Sequence, residues 1–214
     1  PHFLLNTLNT MKWIGLRSRN EEIVEICLSL GKLLETSLNS DVDLIHLKDE
    51  ITLTKAFIYI QQVRYSNGFE VEFNYDDDIQ YALVPKLSLQ PLVDNAIRHG
   101  IANADSKGRL IIRMGLSETD PELLVVEVED NGIGVEKARA GQEASRKRPG
   151  IGLANVRERL RLLFKDKAAL EIIPLRQGTL VRLCLPYLLS APYGNDRLPS
   201  PEGGGIDLVE GHAG

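Results

Sequence analysis

Three short segments of this 214-residue chain carry residues whose types and spacing suit a phosphorylated ligand. In the first segment Asn95 interrupts an apolar helical pattern, where an amide lowers helix propensity and needs a partner if it is buried. Its carbonyl oxygen is a hard ligand of the kind that Mg²⁺ accepts beside water and phosphate oxygens. A buried Asn that bonds a neighbouring backbone group is the alternative. The other two segments favour the metal-binding interpretation.

The second and third segments combine one carboxylate with two pairs of glycines. Asp130 ends a run of strict apolar–polar alternation, and on its own a carboxylate at this point favours an Asx turn. The third segment opens a helical pattern, where backbone N–H groups form an anion site. Glycine lets the backbone pass close to a ligand without a side-chain clash, and the glycines concerned are Gly132, Gly134, Gly150 and Gly152.

Together the three segments resemble the N, G1 and G2 boxes of the Bergerat ATP-binding fold, which histidine kinases share with DNA gyrase. The matching runs are QPLVDNAIRHG at residues 90–100, DNGIG at 130–134 and GIGLANV at 150–156. The resemblance implies that the ligand is ATP, that Asn95 holds Mg²⁺ and that Asp130 accepts a hydrogen bond from the exocyclic amine of adenine. It also implies nucleotide contacts from Arg98, His99, Gly132, Gly134, Gly150, Gly152, Leu153 and Thr179.

The segment at residues 135–149, between the second and third boxes, carries five basic side chains. A long loop without secondary structure inside a compact domain is usually functional. We therefore predict a mobile cationic lid over the nucleotide. A solvated surface loop is the alternative.

A separate candidate for chemistry is His2, in the opening run PHFLLNTLN. This run resembles the P-H-F-L-F-N-x-L-N signature of the LytS/YehU-type sensor kinases, with Leu5 where the family usually has Phe. The resemblance implies that His2 is the phosphoacceptor on a dimerisation helix. A neutral imidazole is nucleophilic near neutral pH, and the phosphoramidate that it forms can pass the phosphoryl group onward. An exposed His at a helix start is the alternative.

The identity of the general base is open, because Phe3 stands where many other histidine kinases carry an acidic residue. Asn6 lies one helical turn from His2 and could orient its imidazole. Asp94 could help to activate His2 when the two domains dock. It points about 100° away from Asn95 around the helix, so we do not assign it as a base for hydrolysis.

The residue one helical turn before Asn95 separates phosphoryl transfer from hydrolysis. ATPases of this fold carry a Glu general base there, whereas this chain has Pro91. We therefore predict a protein histidine kinase that phosphorylates His2 and passes the group to an aspartate on the receiver domain of a response regulator. One alternative is a catalytically silent scaffold for dimerisation and signalling, but the three boxes are intact, which argues against it. The other is an anti-sigma-type serine kinase, but the helical hairpin with His2 at its head argues against that.

The elements that position His2 are predicted to be helical. Apolar residues at spacings of three and four predict one helix over about residues 3–38, bent near residues 15–20, and a second over about residues 47–65. A hairpin of two such helices leaves an apolar stripe exposed. We therefore predict a homodimer through these helices that forms a four-helix bundle.

The three boxes are predicted to lie on an α+β sandwich of the Bergerat type, with helices on one face of a mixed sheet. Helices are predicted over residues 86–100, with Gly100 as the C-cap, and 152–164. Strands are predicted over residues 69–74, 108–116, 123–129, 170–174 and 179–186.

These elements predict a helical hairpin for dimerisation and phosphotransfer at residues 1–67 and an ATP-binding domain at 68–189. Residues 190–214 are rich in Pro, Gly, Ser and acidic side chains, so we predict a disordered tail.

Charge and composition narrow the possible partners and cellular location of the chain. A net charge of −5 argues against a nucleic-acid partner, which requires a basic surface. We find no run of 18 apolar residues and no basic leader, so we expect a cytoplasmic chain. Its start at Pro1, inside an apolar pattern, suggests a fragment whose membrane attachment lies in a missing N-terminal region. Cys27 and Cys184 are expected to be reduced thiols in apolar surroundings.

Overall fold

The computed structural model describes residues 2–38, 43–66, 68–103, 107–134 and 151–190. A helical N-terminal part is followed by a mixed-sheet domain with helices on one face, as the sequence predicts. Residues 191–214 of the predicted tail, the lid at residues 135–149 and Gly150 lie outside the described residues.

The N-terminal part begins with two helices where the sequence predicts one bent helix, so that prediction is wrong. Helix α1 runs over His2–Arg17, helix α2 runs over Glu21–Leu38, and the two pack against each other. Gly15 is buried against α2, where a methyl group would lie 3.0 Å from Cγ2 of Val24. The chain therefore forms its helical hairpin within residues 2–38.

A three-residue turn ends α1 and starts α2. Arg19 adopts a left-handed backbone with φ of 53°, and the N–H of Asn20 donates to the carbonyl oxygen of Gly15 at 2.9 Å. This pattern closes a helix by satisfying its last carbonyl groups. The Asn20 side chain then accepts the N–H of Ile23 at 3.1 Å, which caps α2. These interactions end α1 and start α2, so the chain forms two separate helices in place of the one bent helix that was predicted.

Helix α3 runs over Leu47–Arg64, close to its predicted limits. Its buried side chains, which include Leu47, Ile51 and Phe57, belong to the same apolar core as the sheet domain. The short strand β1 (Leu44–His46) pairs antiparallel with β3 (Leu83–Pro85), a pairing that the sequence did not predict. Helix α3 contacts both α2 and α4 (Leu89–Asn95), so it lies between the hairpin and the sheet domain.

Among the described residues, the main sheet has five strands in the order β2-β4-β5-β7-β6, with β2 and β4 parallel and the other pairs antiparallel. All five predicted strands are present within one residue of their predicted ends. Their limits are Phe69–Tyr75 for β2, Gly108–Leu116 for β4, Leu123–Asp130 for β5, Ala169–Pro174 for β6 and Thr179–Pro186 for β7.

Alternation along the strands separates the two faces of the sheet. Leu124, Val126 and Val128 of β5 are fully buried under the helices. The intervening positions face the open side, where Glu127 accepts a hydrogen bond from Arg182 of β7 at 2.8 Å. One face therefore packs and the other carries cross-strand ion pairs, the arrangement expected of a two-layer sandwich.

The helix that carries the first box is shorter and less regular than predicted. Helix α4 runs over Leu89–Asn95 and starts three residues late, because Leu87 has a left-handed φ of 55°. It continues as a π-helical turn over Ala96–Gly100 and a 3₁₀ turn over Ile101–Asn103. Gly100 is thus inside a helical segment rather than at its C-cap, and the C-cap prediction is wrong.

Helix α5 runs over Ile151–Phe164 and closes the packed face of the sheet. Both cysteines are free thiols, with Cys27 buried and Cys184 half-buried. Across the described parts of the chain, every helix is too short or too polar to cross a lipid bilayer.

Candidate nucleotide-binding site

Asp130 is the centre of the candidate site. It is the last residue of β5, with an exposed fraction of 2%. Its Oδ1 accepts the N–H of Gly132 at 2.8 Å, and the backbone N–H of Thr179 on β7 donates to the same carboxylate. A carboxylate offers about four acceptor positions, so these two bonds leave capacity for a ligand. The Asx turn and a ligand-binding role are therefore compatible here.

Burial dominates the electrostatics of this carboxylate. Loss of hydration raises the pKa of Asp130 to about 6, and the N–H groups of Gly132 and Thr179 offset part of that rise. The nearby charge of Glu129 adds a small further increase to the pKa. The group is therefore ionised near neutral pH but close to its titration range.

Glycines surround Asp130 because side chains would not fit. A methyl group on Gly100 would lie 2.6 Å from Cγ of Asp130 and closer still to Oδ1. A methyl group on Gly178 would lie 2.6 Å from the Asp130 carbonyl carbon, and Gly178 also has a φ of 86°. A methyl group on Gly132 would overlap the backbone of Gly100. The end of β5, the π-turn and the β6–β7 turn thus meet without intervening side chains, and their glycines form a cradle around the Asp130 carboxylate.

The first box brings its polar residues to one end of α4. Asn95 is the last residue of α4 and is half-buried, and Asp94 forms an ion pair with Arg98 at 3.4 Å. Arg98 is exposed and His99 is half-buried, both within the π-turn. π-turns inserted in helices occur often at functional sites, since they re-aim the side chains that follow. Asn95, Arg98 and His99 therefore lie on the segment that ends against Asp130.

The third box, at the start of α5, and the strand β7 complete the surroundings of Asp130 and α4. Gly152 stands in the first turn of α5, where a methyl group would lie 3.5 Å from Cβ of Pro91 on α4, so the two helix segments are adjacent. Leu153 is buried, and Thr179 is buried opposite Asp130 in the β5–β7 register. Gly134 has a φ of 79°, a conformation that favours glycine.

His2 is not part of this cluster. It is exposed at the first residue of α1, and Asn6 is exposed one turn later. Within the described residues no hydrogen bond joins His2 to Asn6 or to Asp94, whose charged partner is Arg98. The predicted phosphoacceptor His2 and the glycine cradle around Asp130 therefore lie on separate elements of the structure.

Sequence reasoning missed several residues that shape the site. Gly100 was assigned to a helix cap and Gly178 was not selected as a site residue, although both give room to Asp130. Asn131 was not selected, yet its side chain accepts the N–H of Arg109 at 2.6 Å and donates to the carbonyl oxygen of Lys107 at 3.0 Å. It thereby ties the end of β5 to the start of β4. Sequence position alone carried no signal for these cross-strand contacts.

Two family models match this chain. The model described as "Histidine kinase" matches residues 1–69, and the model described as "Histidine kinase-, DNA gyrase B-, and HSP90-like ATPase" matches residues 85–189. The second range contains all three boxes.

Curated relatives match across both ranges. Sensor histidine kinase YesM of Bacillus subtilis is 30% identical over 187 residues, and Sensor protein LytS of Staphylococcus saprophyticus is 33% identical over 193 residues. Each match covers 87% of this chain and 31% or 32% of the relative. The chain therefore spans about a third of the length of these relatives.

A solved structure agrees at the level of the fold. The histidine kinase domain of a blue-light activated kinase from Erythrobacter litoralis superposes with a TM-score of 0.51 at 17% identity, over 87% of this chain and 93% of that one.

Sheet order, the buried Asp130 and its glycine cradle define a Bergerat-type ATP-binding domain preceded by a helical segment. The chain belongs to the histidine kinase family and is similar to LytS and YesM.

Proposed function

We propose that this chain is a kinase core that uses ATP to phosphorylate His2 and then passes the phosphoryl group to an aspartate on a response-regulator receiver domain. The observation that carries the proposal is the buried carboxylate of Asp130, enclosed by glycines against the π-turn of the first box. Membership of the sensor histidine kinases supports the same reaction.

We assign the nucleotide contacts as follows. Asp130 accepts the exocyclic amine of adenine, with Thr179 beside it and Gly132 and Gly134 giving the base close access to the backbone. Asn95 supplies one amide oxygen to Mg²⁺, which neutralises phosphate charge when it is bound. The phosphate contacts are assigned to Arg98, His99, Gly150, Gly152 and Leu153.

We propose that Asn95 is the one protein ligand of Mg²⁺. Among the described residues no group of three His, Cys, Asp or Glu side chains could hold a metal ion. Mg²⁺ at nucleotide sites keeps water and phosphate oxygens as most of its ligands, so one amide from Asn95 is enough.

In the transfer step we assign the nucleophile to an imidazole nitrogen of His2. A P–N bond to the γ-phosphorus forms as the bond to the β–γ bridging oxygen breaks, and ADP leaves. The exposure of His2 at the head of α1 suits this role, because the imidazole must reach a nucleotide held on another element. Asn6 is assigned an orienting role, and Asp94 a role in activating His2 once the parts dock.

We also propose a homodimer through the N-terminal helices. Large apolar side chains on α1 are exposed, among them Phe3 at 79%, Trp13 at 63% and Ile14 at 59%. Burial of such surface in a helical bundle is strongly favoured. We further propose that this is the cytoplasmic part of a membrane-anchored bacterial sensor, with its anchor in a region that precedes this chain.

The proposed division is residues 1–67 for phosphotransfer and dimerisation, 68–189 for ATP binding and 190–214 as a disordered tail. Helix α3 falls in the first part but shares its core with the second. The two parts are therefore proposed to communicate through α3.

The test is incubation of the chain with Mg-ATP labelled at the γ-phosphate. We expect label that is stable in alkali and lost in acid, as a phosphoramidate is, and we expect His2→Gln to abolish it. His46→Gln is the matched control, since His46 lies on β1 and has no assigned role. Label that persists in His2→Gln would refute His2 as the acceptor, and no label in the parent chain would favour the scaffold. Acid-stable label would favour a serine kinase.

The pocket is tested separately with Asp130→Asn. The introduced amide group would present a donor to the adenine amine or to the Thr179 N–H, so ATP affinity should fall by roughly tenfold or more. Equilibrium binding with a labelled nucleotide measures this. An unchanged affinity would show that the adenine assignment is wrong.

A further inference from the structure

Glu50 is a buried carboxylate that the proposed function does not use. It lies in the first turn of α3 with an exposed fraction of 1%. Its Oε2 accepts the N–H of Leu87 at 2.9 Å, and its Oε1 accepts the N–H of Leu89 at 2.9 Å. Leu89 is the first residue of α4, the helix that ends at Asn95. A carboxylate from one helix therefore caps the helix of the first box.

The turn that Glu50 holds is not relaxed. Leu87 has a φ of 55°, a left-handed conformation that is unfavourable for a non-glycine residue. Ser88 is the N-cap of α4 but makes no capping bond with its own side chain, and its hydroxyl is buried without a partner among the described residues. A serine at this position usually caps its own helix. Here Glu50 has taken over that role.

Burial of the carboxylate is itself unfavourable. Loss of hydration raises the pKa of Glu50 to about 7, while the N–H groups of residues 87–89 and the charge of Arg159 lower it. A local serine cap would avoid that desolvation. The arrangement therefore makes the start of α4 depend on the position of α3, which a local cap would not do.

The same turn is held from the opposite side by the helix of the third box. The guanidinium of Arg159 on α5 donates to the carbonyl oxygen of Lys86, and the N–H of Lys86 donates to the carbonyl oxygen of Asp43 at 3.0 Å. The turn thus joins α3, α4 and α5. Helix α3 also packs on α2, where burial and the charges of Glu22 and Glu25 raise the pKa of Tyr59.

We propose that Glu50 is a positioning residue for the first box: by fixing the start of α4 against α3, it sets where Asn95 stands toward the phosphates and Mg²⁺. Leu89 and Asn95 are separated by six helical positions, about 9 Å at 1.5 Å per residue, so a displacement of the first turn carries to the last. The proposal rests on the proposed nucleotide site but not on phosphorylation of His2.

The test separates the Mg²⁺-dependent part of ATP binding from adenine binding. Adenosine affinity reports on Asp130 and its glycines, and the gain in affinity from adenosine to Mg-ATP reports on Asn95 and the phosphate contacts. Glu50→Gln keeps the side-chain size but turns one acceptor into a donor that faces a backbone N–H. We expect it to reduce the gain by about tenfold or more, with adenosine affinity within about twofold of the parent chain.

Asp49→Asn is the matched control, because Asp49 is the exposed neighbour of Glu50 on the same turn of α3. We expect it to change neither affinity. Glu50→Asp keeps the charge with one methylene fewer, so it should recover part of the gain and provides the same measurement if Glu50→Gln does not fold.

A purely structural role for Glu50 would weaken adenosine and Mg-ATP binding by the same factor, and that result would overturn the proposal. A parent chain that binds both ligands but places no phosphate on His2 would overturn the proposed kinase reaction. The comparison of adenosine and Mg-ATP affinity would still test the role of Glu50. A parent chain with no gain from adenosine to Mg-ATP would refute the role of Asn95, and with it this proposal.

Discussion

Gly100 closely approaches the Asp130 carboxylate, and Gly100→Ala tests this contact. The added methyl carbon would lie 2.6 Å from Cγ of Asp130, whereas carbon atoms in ordinary contact are about 3.5–4.0 Å apart. The π-turn or the carboxylate must therefore move by about 1 Å. Because Gly132 also packs on the backbone of Gly100, the first box has little room to yield.

Two energies follow from that displacement. Overpacking of a close contact typically destabilises a protein by about 1–3 kcal/mol. A carboxylate shifted by 1 Å also loses its hydrogen bond to the ligand, and a bond to a charged group is worth about 1.5–3 kcal/mol. At about 1.4 kcal/mol per factor of ten, ATP affinity should fall by roughly ten- to a hundredfold.

The assay is nucleotide titration by calorimetry together with the urea midpoint of unfolding. Gly115→Ala on β4 is the matched control, because a methyl group there would meet no atom within 4 Å. It should change stability by less than about 0.5 kcal/mol and leave ATP affinity unchanged. If Gly100→Ala binds ATP as the parent chain does, the close approach of the π-turn to Asp130 is wrong.

Two further predictions concern the charge of Asp130 and the apolar face of α1. The adenine amine binds the ionised carboxylate better, and burial raises the pKa of Asp130 to about 6. Adenosine affinity should therefore be full above about pH 7 and fall as the pH drops through 6. Asp130→Asn should abolish this pH dependence, and an equally steep fall in the variant would contradict the assignment. The double variant Met11→Glu/Ile14→Glu should convert a dimer to a monomer in sedimentation equilibrium with ATP affinity unchanged. Leu162→Glu on α5, a position at least as exposed, should leave the dimer intact. A dimer that survives the double variant would exclude this face of α1.

Local signals in the chain predict most of the elements but not their contacts. The five sheet strands follow from period-two alternation, and α5 follows from helical spacing, because each pattern reflects one buried face. The hairpin break at residues 18–20 was underestimated, since Arg19 is not a residue type that signals a left-handed turn. The strands β1 and β3 were missed because each has three residues and their pairing spans nearly 40 positions of sequence.

The sequence by itself determined the family, the order of the three boxes and the residue types that suit ATP and a phosphoacceptor, because these depend on spacing along one strand or one helix. The tertiary structure decided what surrounds those residues. Gly100, Gly132 and Gly178 come from three separate segments, and their common need for space around Asp130 exists only when the segments meet. Glu50 reaches the start of α4 across 37 and 39 positions of sequence. A buried carboxylate needs hydrogen-bond donors around it, and those of Glu50 come from a distant segment. Their convergence is a property of packing that no local pattern encodes.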